Sequence, residues 1–124
     1  MLTAFGEGVA QTERVEHVSM IQLICNADQW HGRKVLISGI LHYKFEDSAL
    51  YLTLDHANHL DGRNGVWVSY APELLKATDP LKLDGRFVSM VGTFNKDRRG
   101  HMGAFPGAIE NVTSLSSDKK YYND

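Results

Sequence analysis

Two stretches of this chain repeat one another. His31-Gly32-Arg33-Lys34-Val35-Leu36-Ile37-Ser38-Gly39 aligns without a gap on Asp84-Gly85-Arg86-Phe87-Val88-Ser89-Met90-Val91-Gly92. Each leaves a glycine turn, places an arginine at the strand entry, buries a β-branched residue and reaches a second glycine at which a long strand can bend or bulge. Strands of this kind suit a small closed sheet, because closure needs strands that serve both halves of the wall. The repeat therefore predicts that the segments starting near Arg33 and Arg86 lie side by side.

The other patterns supply the rest of a mainly β, five-stranded barrel. Lys34 to Tyr43, with Val35, Ile37 and Leu41 on one face, reads as the first strand; Phe45-Glu46-Asp47-Ser48 reads as a turn and Ala49 to Leu54 as the returning strand. The polar run from Asp55 to Asn64 reads as a loop, Val66 to Tyr70 as the third strand, Arg86 to Phe94 as the fourth and Ala108 to Leu115 as the fifth. One short helix is expected ahead of the barrel, because Ser19 and Gln22 form a capping-box start that runs to about Asn26. Pro72 at a first helical position predicts another over Pro72 to Ala77, between strands three and four. This divides the chain into an arm over 1–17, a barrel domain over 18–115 and a polar tail over 116–124, where Tyr121 and Tyr122 stand among charged residues.

With 124 residues, 43% of them hydrophobic and 23% charged, the chain has the composition of one globular core. The formal net charge of -2 lacks the basic excess that phosphate backbones reward. Cys25 is the single cysteine, so no internal disulfide can form, a cysteine-based zinc site lacks ligands, and a reducing cytoplasm is the expected setting. On an apolar helix, Cys25 is expected to be a small core residue. No segment has the apolar run of a membrane span, and no glycine-rich phosphate loop is present, so no cofactor is expected.

A resemblance adds to this. Trp30 to Gly39, Ala49-Leu50-Tyr51-Leu52, Gly65-Val66-Trp67-Val68, Gly92-Thr93-Phe94, Gly100-His101-Met102-Gly103 and Gly107 to Val112 together resemble a family of small bacterial proteins of the oligonucleotide/oligosaccharide-binding (OB) type. The resemblance covers about residues 18 to 115. It implies an OB-like barrel and a bacterial cytoplasmic setting, and carries no catalytic residues to transfer. Small bacterial domains of this character are also similar to immunity proteins, which neutralise a partner toxin by binding it.

Two binding chemistries compete for the polar residues. No nucleophile with an orienting base is visible, so the first expectation is a non-enzymatic protein-binding module, plausibly an immunity-type inhibitor that occludes the site of a toxin. Its contact residues are expected in exposed loops: Arg98, Arg99, His56, His59 and Glu46. The alternative is single-stranded nucleic-acid binding, with Tyr51, Trp67 and Tyr70 as a stacking platform and Lys96, Arg98 and Arg99 as the basic loop beside it. His56 and His59 would share a face of a helix, but the base of a zinc hydrolase motif is missing, so a solvent-facing loop without metal is expected.

Overall fold

The computed structural model describes residues 14–44 and 47–117. These form six strands and four short helices. In order they are β1 (Glu16–His17), α1 (Met20–Cys25), α2 (Ala27–Trp30), β2 (Lys34–Lys44), β3 (Asp47–Tyr51), α3 (Leu54–Asn58), β4 (Gly65–Tyr70), α4 (Pro72–Ala77), β5 (Phe87–Asn95) and β6 (Ala108–Ser117). None of the described helices is long and apolar enough to cross a membrane.

The repeat does bring its two segments together. β2 and β5 pair antiparallel from Lys34↔Thr93 to Ile40↔Phe87. β2 then continues and pairs with β3 from Ile40↔Tyr51 to Lys44↔Asp47, so one strand serves two walls. β3 pairs with β4, β4 runs parallel to β6, and β6 returns antiparallel to β5. The six-stranded sheet thus closes into a partial ring, with β1 added parallel to β2.

Alternation builds the core. Val35, Ile37, Gly39 and Leu41 on β2, and Val88, Met90, Gly92 and Phe94 on β5, are buried in strict period two. They meet Leu50, Val66, Ile109 and Val112 from the other walls, and Val18, Met20 and Leu23 from the segment before the sheet. The repeat's second glycines have a concrete reason: a Cβ on Gly39 would lie 2.6 Å from the Tyr51 carbonyl oxygen, and one on Gly92 2.6 Å from Ile109 Cγ2. The neighbouring strand passes too close for a side chain. The imperfect alternation read on the last strand also has a cause. Asn111 adopts φ 52°, and the β5–β6 register slips between Val91 and Thr93, a bulge that shifts the inward face from Ile109 to Val112.

Several boundaries differ from expectation. The Ser19–Gln22 capping box forms, with Gln22 N donating to Ser19 Oγ at 3.1 Å and Ser19 N to Gln22 Oε1 at 3.0 Å. The helix ends at Cys25 with Asn26 as its cap, as expected, and a separate helical turn, α2, then leads to Trp30, whose ring carries the Arg33 guanidinium at 5.4 Å. Cys25 is exposed, because it falls opposite the α1 face that buries Met20 and Leu23. The expected strand to Leu54 ends at Tyr51, and the expected loop from Asp55 holds helix α3, capped by the Thr53 hydroxyl. Asp47 and Ser48 belong to β3 rather than to a turn, and Ser116 and Ser117 to β6 rather than to a tail. The remainder of the tail, the first 13 residues, Phe45 and Glu46 lie outside the described residues.

Gly92→Ala tests the close approach. Its Cβ would also meet the Glu110 carbonyl at 2.8 Å, backbone that cannot rotate away. A loss of roughly 1–3 kcal/mol of stability is expected by urea denaturation. Unchanged stability would show that the strands are not packed this tightly.

Candidate binding trough

The outer surface of the sheet is divided. One half is covered: Ala49 and Tyr51 of β3 are buried under Ala57 of α3 and Phe105 of the β5–β6 connection, with Trp67 packed alongside. The Phe105 ring stands 5.5 Å from Trp67 and 6.1 Å from Tyr51 in tilted contacts. A reciprocal clasp fixes this cover, since Phe105 N donates to the Arg99 carbonyl at 3.0 Å and Arg99 Nε to the Phe105 carbonyl at 2.8 Å. Gly100, at φ 68°, fits beneath it, where a Cβ would lie 2.7 Å from the Trp67 ring.

Beyond this cover, at the end of the sheet where Tyr43 and Tyr70 pack against the core, the surface is open and concave. A cleft of about 400 Å³ is lined by Tyr43, Lys44, Asp47, Trp67, Tyr70 and Arg98, with Leu75 of α4 on its rim. It shares Tyr43 and Leu75 with a second cleft of about 410 Å³, which reaches Lys76, Asp79 and Lys82. It shares Asp47 and Trp67 with a third of about 130 Å³, which reaches Leu60 and His101. The three adjoin through these shared side chains as one trough whose first cleft crosses β3 and β4, with Trp67 between the first cleft and the third. Leu60 and Leu75, 55% and 45% exposed, are large aliphatic side chains left without cover at its two ends.

The local sequence explains the lining. Tyr43 and Tyr70 end β2 and β4 and meet edge-on at 5.9 Å over the end of the core. The Tyr70 hydroxyl is tied to Ser48 Oγ at 2.7 Å, which satisfies the one buried polar side chain of β3. Pro72 starts α4 directly after β4 and so places Leu75 over Tyr43 and Tyr70. Asp47 faces the trough, and behind it His42 Nε2 lies 3.6 Å from Asp47 Oδ2, with its ring edge-on to Tyr51 at 6.3 Å.

The expected site residues separate. Trp67 and Tyr70 line the trough, but Tyr51 is only 2% exposed and cannot stack a base. Each cation of the basic loop is engaged by another group of the chain. Arg98 Nη1 bonds Glu110 Oε2 at 2.9 Å, Lys96 Nζ lies 3.2 Å from Asp97 and 3.6 Å from Asp28, and Arg99 is held by the Phe105 carbonyl. Burial opposes ionisation of Glu110, yet the bonds from Arg98 and Asn95 outweigh it and keep the carboxyl below its ordinary range. His56 and His59 sit on and after α3, not in an extended loop. Nδ1 of His56 is engaged by Thr53 Oγ1 at 2.8 Å and Nδ1 of His59 by the Asp55 carbonyl at 2.8 Å, which gives both rings a role in capping. Glu46 lies outside the described residues.

Sequence reasoning missed Tyr43, Lys44, Asp47, Leu75, Lys76 and Lys82. They come from three separate segments, and the only signal was that all flank the strand ends next to the Pro72 helix.

Comparison with known proteins bears on the fold alone. No family model matches the chain, and no curated protein matches it. Among solved structures, it is similar to part of a protein assigned as an aspartyl-tRNA synthetase from Leishmania major Friedlin. The TM-score is 0.50 at 15% identity, over 85% of this chain and 21% of that one. The chain therefore matches about a fifth of that protein's length.

The two tyrosines give a pH signature. Burial pushes the Tyr70 phenol up from 10.0 to about 12, aided by Tyr43; burial with Asp47 and Asp61 nearby does the same to Tyr51. Both protons are held more tightly in the folded chain, so their stabilising contribution is full below pH 10 and is lost as pH rises towards 12. Alkaline titration by near-ultraviolet absorbance is expected to show two phenols ionising late, together with a fall in stability over that window. If every tyrosine ionises in one step near 10, these rings are not buried as described.

Proposed function

We propose that this chain is a non-enzymatic binding module that takes a segment of another protein in the trough across β3 and β4. The OB-like barrel is the frame of this reading: the order β2-β3-β4-β6-β5 returns to β2, with β4 and β6 parallel. One observation carries the functional part. Trp67 lies half-buried in a trough whose ends are formed by exposed Leu60 and Leu75, an aromatic anchor between aliphatic rims. Binding there occludes whatever the partner presents to the trough, the action by which an immunity-type inhibitor would silence a toxin. The cytoplasmic bacterial setting belongs to the same proposal.

Single-stranded nucleic acid is the second reading. It is favoured by the likeness to part of a protein assigned as a tRNA synthetase and by three aromatic residues in one cleft. Two features weigh against it. Tyr43 and Tyr70 pack edge-on against each other, and Phe105 and Gly100 cover part of Trp67, so the rings do not form an open stack. Among the described residues no lysine or arginine lines the third cleft, and a phosphate chain crossing Trp67 would run over the Asp47 carboxylate.

Co-purification from the native host provides the test. Trp67→Ala and Leu75→Glu are expected to weaken capture of a specific partner by about tenfold or more, the range for central aromatic anchors. Ile21→Ala, which removes an exposed apolar side chain on α1, is expected to leave capture intact. A partner held equally by all three variants would place the interface elsewhere. Tight, salt-dependent binding of mixed-sequence oligonucleotides would replace the protein reading with the nucleic-acid one.

A further inference from the structure

The trough is not electrically uniform. Among the described residues, Lys44, Lys76 and Lys82, with Arg98 already paired to Glu110, line its first two clefts beside Asp47 and Asp79, and Asp84 is tied to Tyr43 N in the wall, whereas the chain as a whole carries -2. Lys44, Lys76 and Lys82 are exposed and make no ion pair with any described residue, in contrast to Lys96 and Arg98 of the basic loop. Asp79, the carboxylate that lines the second cleft with Lys76 and Lys82, makes no ion pair with either and is tied to its own turn. Asp79 Oδ1 accepts from Leu81 N at 3.1 Å and caps the turn over Pro80–Leu83. The Leu75 end of the trough therefore combines three free ammonium groups with an apolar cleft walled by Tyr43, Trp67, Val68 and Leu75.

Resting on the protein-binding reading above, we infer that the occupant is an extended acidic segment, with carboxylates against Lys44, Lys76 and Lys82 and an apolar side chain in the cleft between Leu75 and Trp67. The segregation within the trough sets the direction. Carboxylates belong at the Leu75 end, because past Trp67 the described lining of the third cleft includes Asp47, Leu60 and His101 but no lysine or arginine. A side chain of leucine or phenylalanine size suits a cleft of about 400 Å³ with room for the backbone beside it. A peptide also tolerates Asp47 at mid-trough, since its backbone N–H groups can donate to that carboxylate, whereas a phosphodiester chain has no donor to offer there. The ammonium groups are solvent-exposed, so their attraction speeds encounter and selects partners, and it weakens with salt.

The probes are three synthetic octapeptides with leucine and tryptophan at the same alternate positions and glutamate, glutamine or lysine at the others, plus an oligothymidylate of equal length. Titration calorimetry with the full chain reads them. The glutamate peptide is expected to bind, at least about tenfold more tightly than the glutamine peptide at low salt, with the gap closing as salt rises. Lys44→Gln, Lys76→Gln and Lys82→Gln together are expected to remove that preference, while Lys34→Gln, on the far end of β2, leaves it. Glutamate and glutamine peptides that bind equally, or a preference that survives the triple substitution, overturns the acidic-segment inference and leaves the protein-binding reading standing. Binding of the oligothymidylate above the glutamate peptide overturns both. No binding of any peptide, with the host partner still lost on Trp67→Ala, also overturns the inference while the trough remains the protein site.

Discussion

Everything in this molecule depends on the antiparallel pairing of β2 with β5. It joins strands separated by some fifty residues, and it leaves β2 long enough to continue from one wall of the ring to the next. That continuation carries Tyr43 and Lys44 out to the end of the sheet, where the turn that opens the repeat's second copy secures them. Gly85 N donates to the Leu41 carbonyl at 2.7 Å, and Tyr43 N donates to Asp84 Oδ1 at 2.7 Å. The repeat's own turn thus pins the wall of the trough. A sheet left open at this seam would lose the cleft as well as the core, because Tyr43 would no longer meet Tyr70.

The second determinant is the cover on the outer face. Tyr51, Trp67 and Phe105 form a small aromatic layer whose pairwise contacts contribute about 0.5–1.5 kcal/mol each beyond simple burial. It needs the Arg99–Phe105 clasp to hold the connection down. The same connection turns outwards at Met102, which adopts φ 60° and is 87% exposed, a backbone state that costs a non-glycine residue about 1–2 kcal/mol. The cover consumes Tyr51 and half of Trp67 and leaves the strip from Trp67 to Leu75 open. What distinguishes open surface from packing surface on this sheet is where that connection ends.

Local chemistry made most of the frame legible. The capping box at Ser19, Pro72 at the start of α4, and the paired glycines all act within a few residues, so their sequence signals translate directly into structure. The misses share a different cause. Asp55 to Asn58 reads as polar loop because its helix depends on the Thr53 cap and on burying a single small residue, Ala57, which leaves almost no hydrophobic period. Cys25 reads as core because a six-residue helix buries only Met20 and Leu23. The site was the least legible part. Tyr51 and Trp67 look alike in their strands and both meet Phe105, yet Tyr51 lies buried in the cluster with Ala57 of α3 while Trp67 stays half-buried at its edge, a difference that local sequence does not carry.

Charge shows the same limit most sharply. In the sequence, the densest basic run is Lys96 to Arg99, and density invites a functional reading. Density in sequence also invites neutralisation, because a cluster of like charges is stabilised by any carboxylate that folding brings near; Asp28 and Glu110 fill that role. Lys44, Lys76 and Lys82 are scattered along the chain, so no single acidic neighbour meets them, yet folding gathers them along one trough. A total of -2 does not govern what they attract, since fields between exposed charges fade over about 8 Å at physiological salt. The relevant quantity is the balance along the trough, which is positive at the Leu75 end. An acidic chain can therefore present a cationic contact, and in this one the cations free to make it are those that no sequence motif marks.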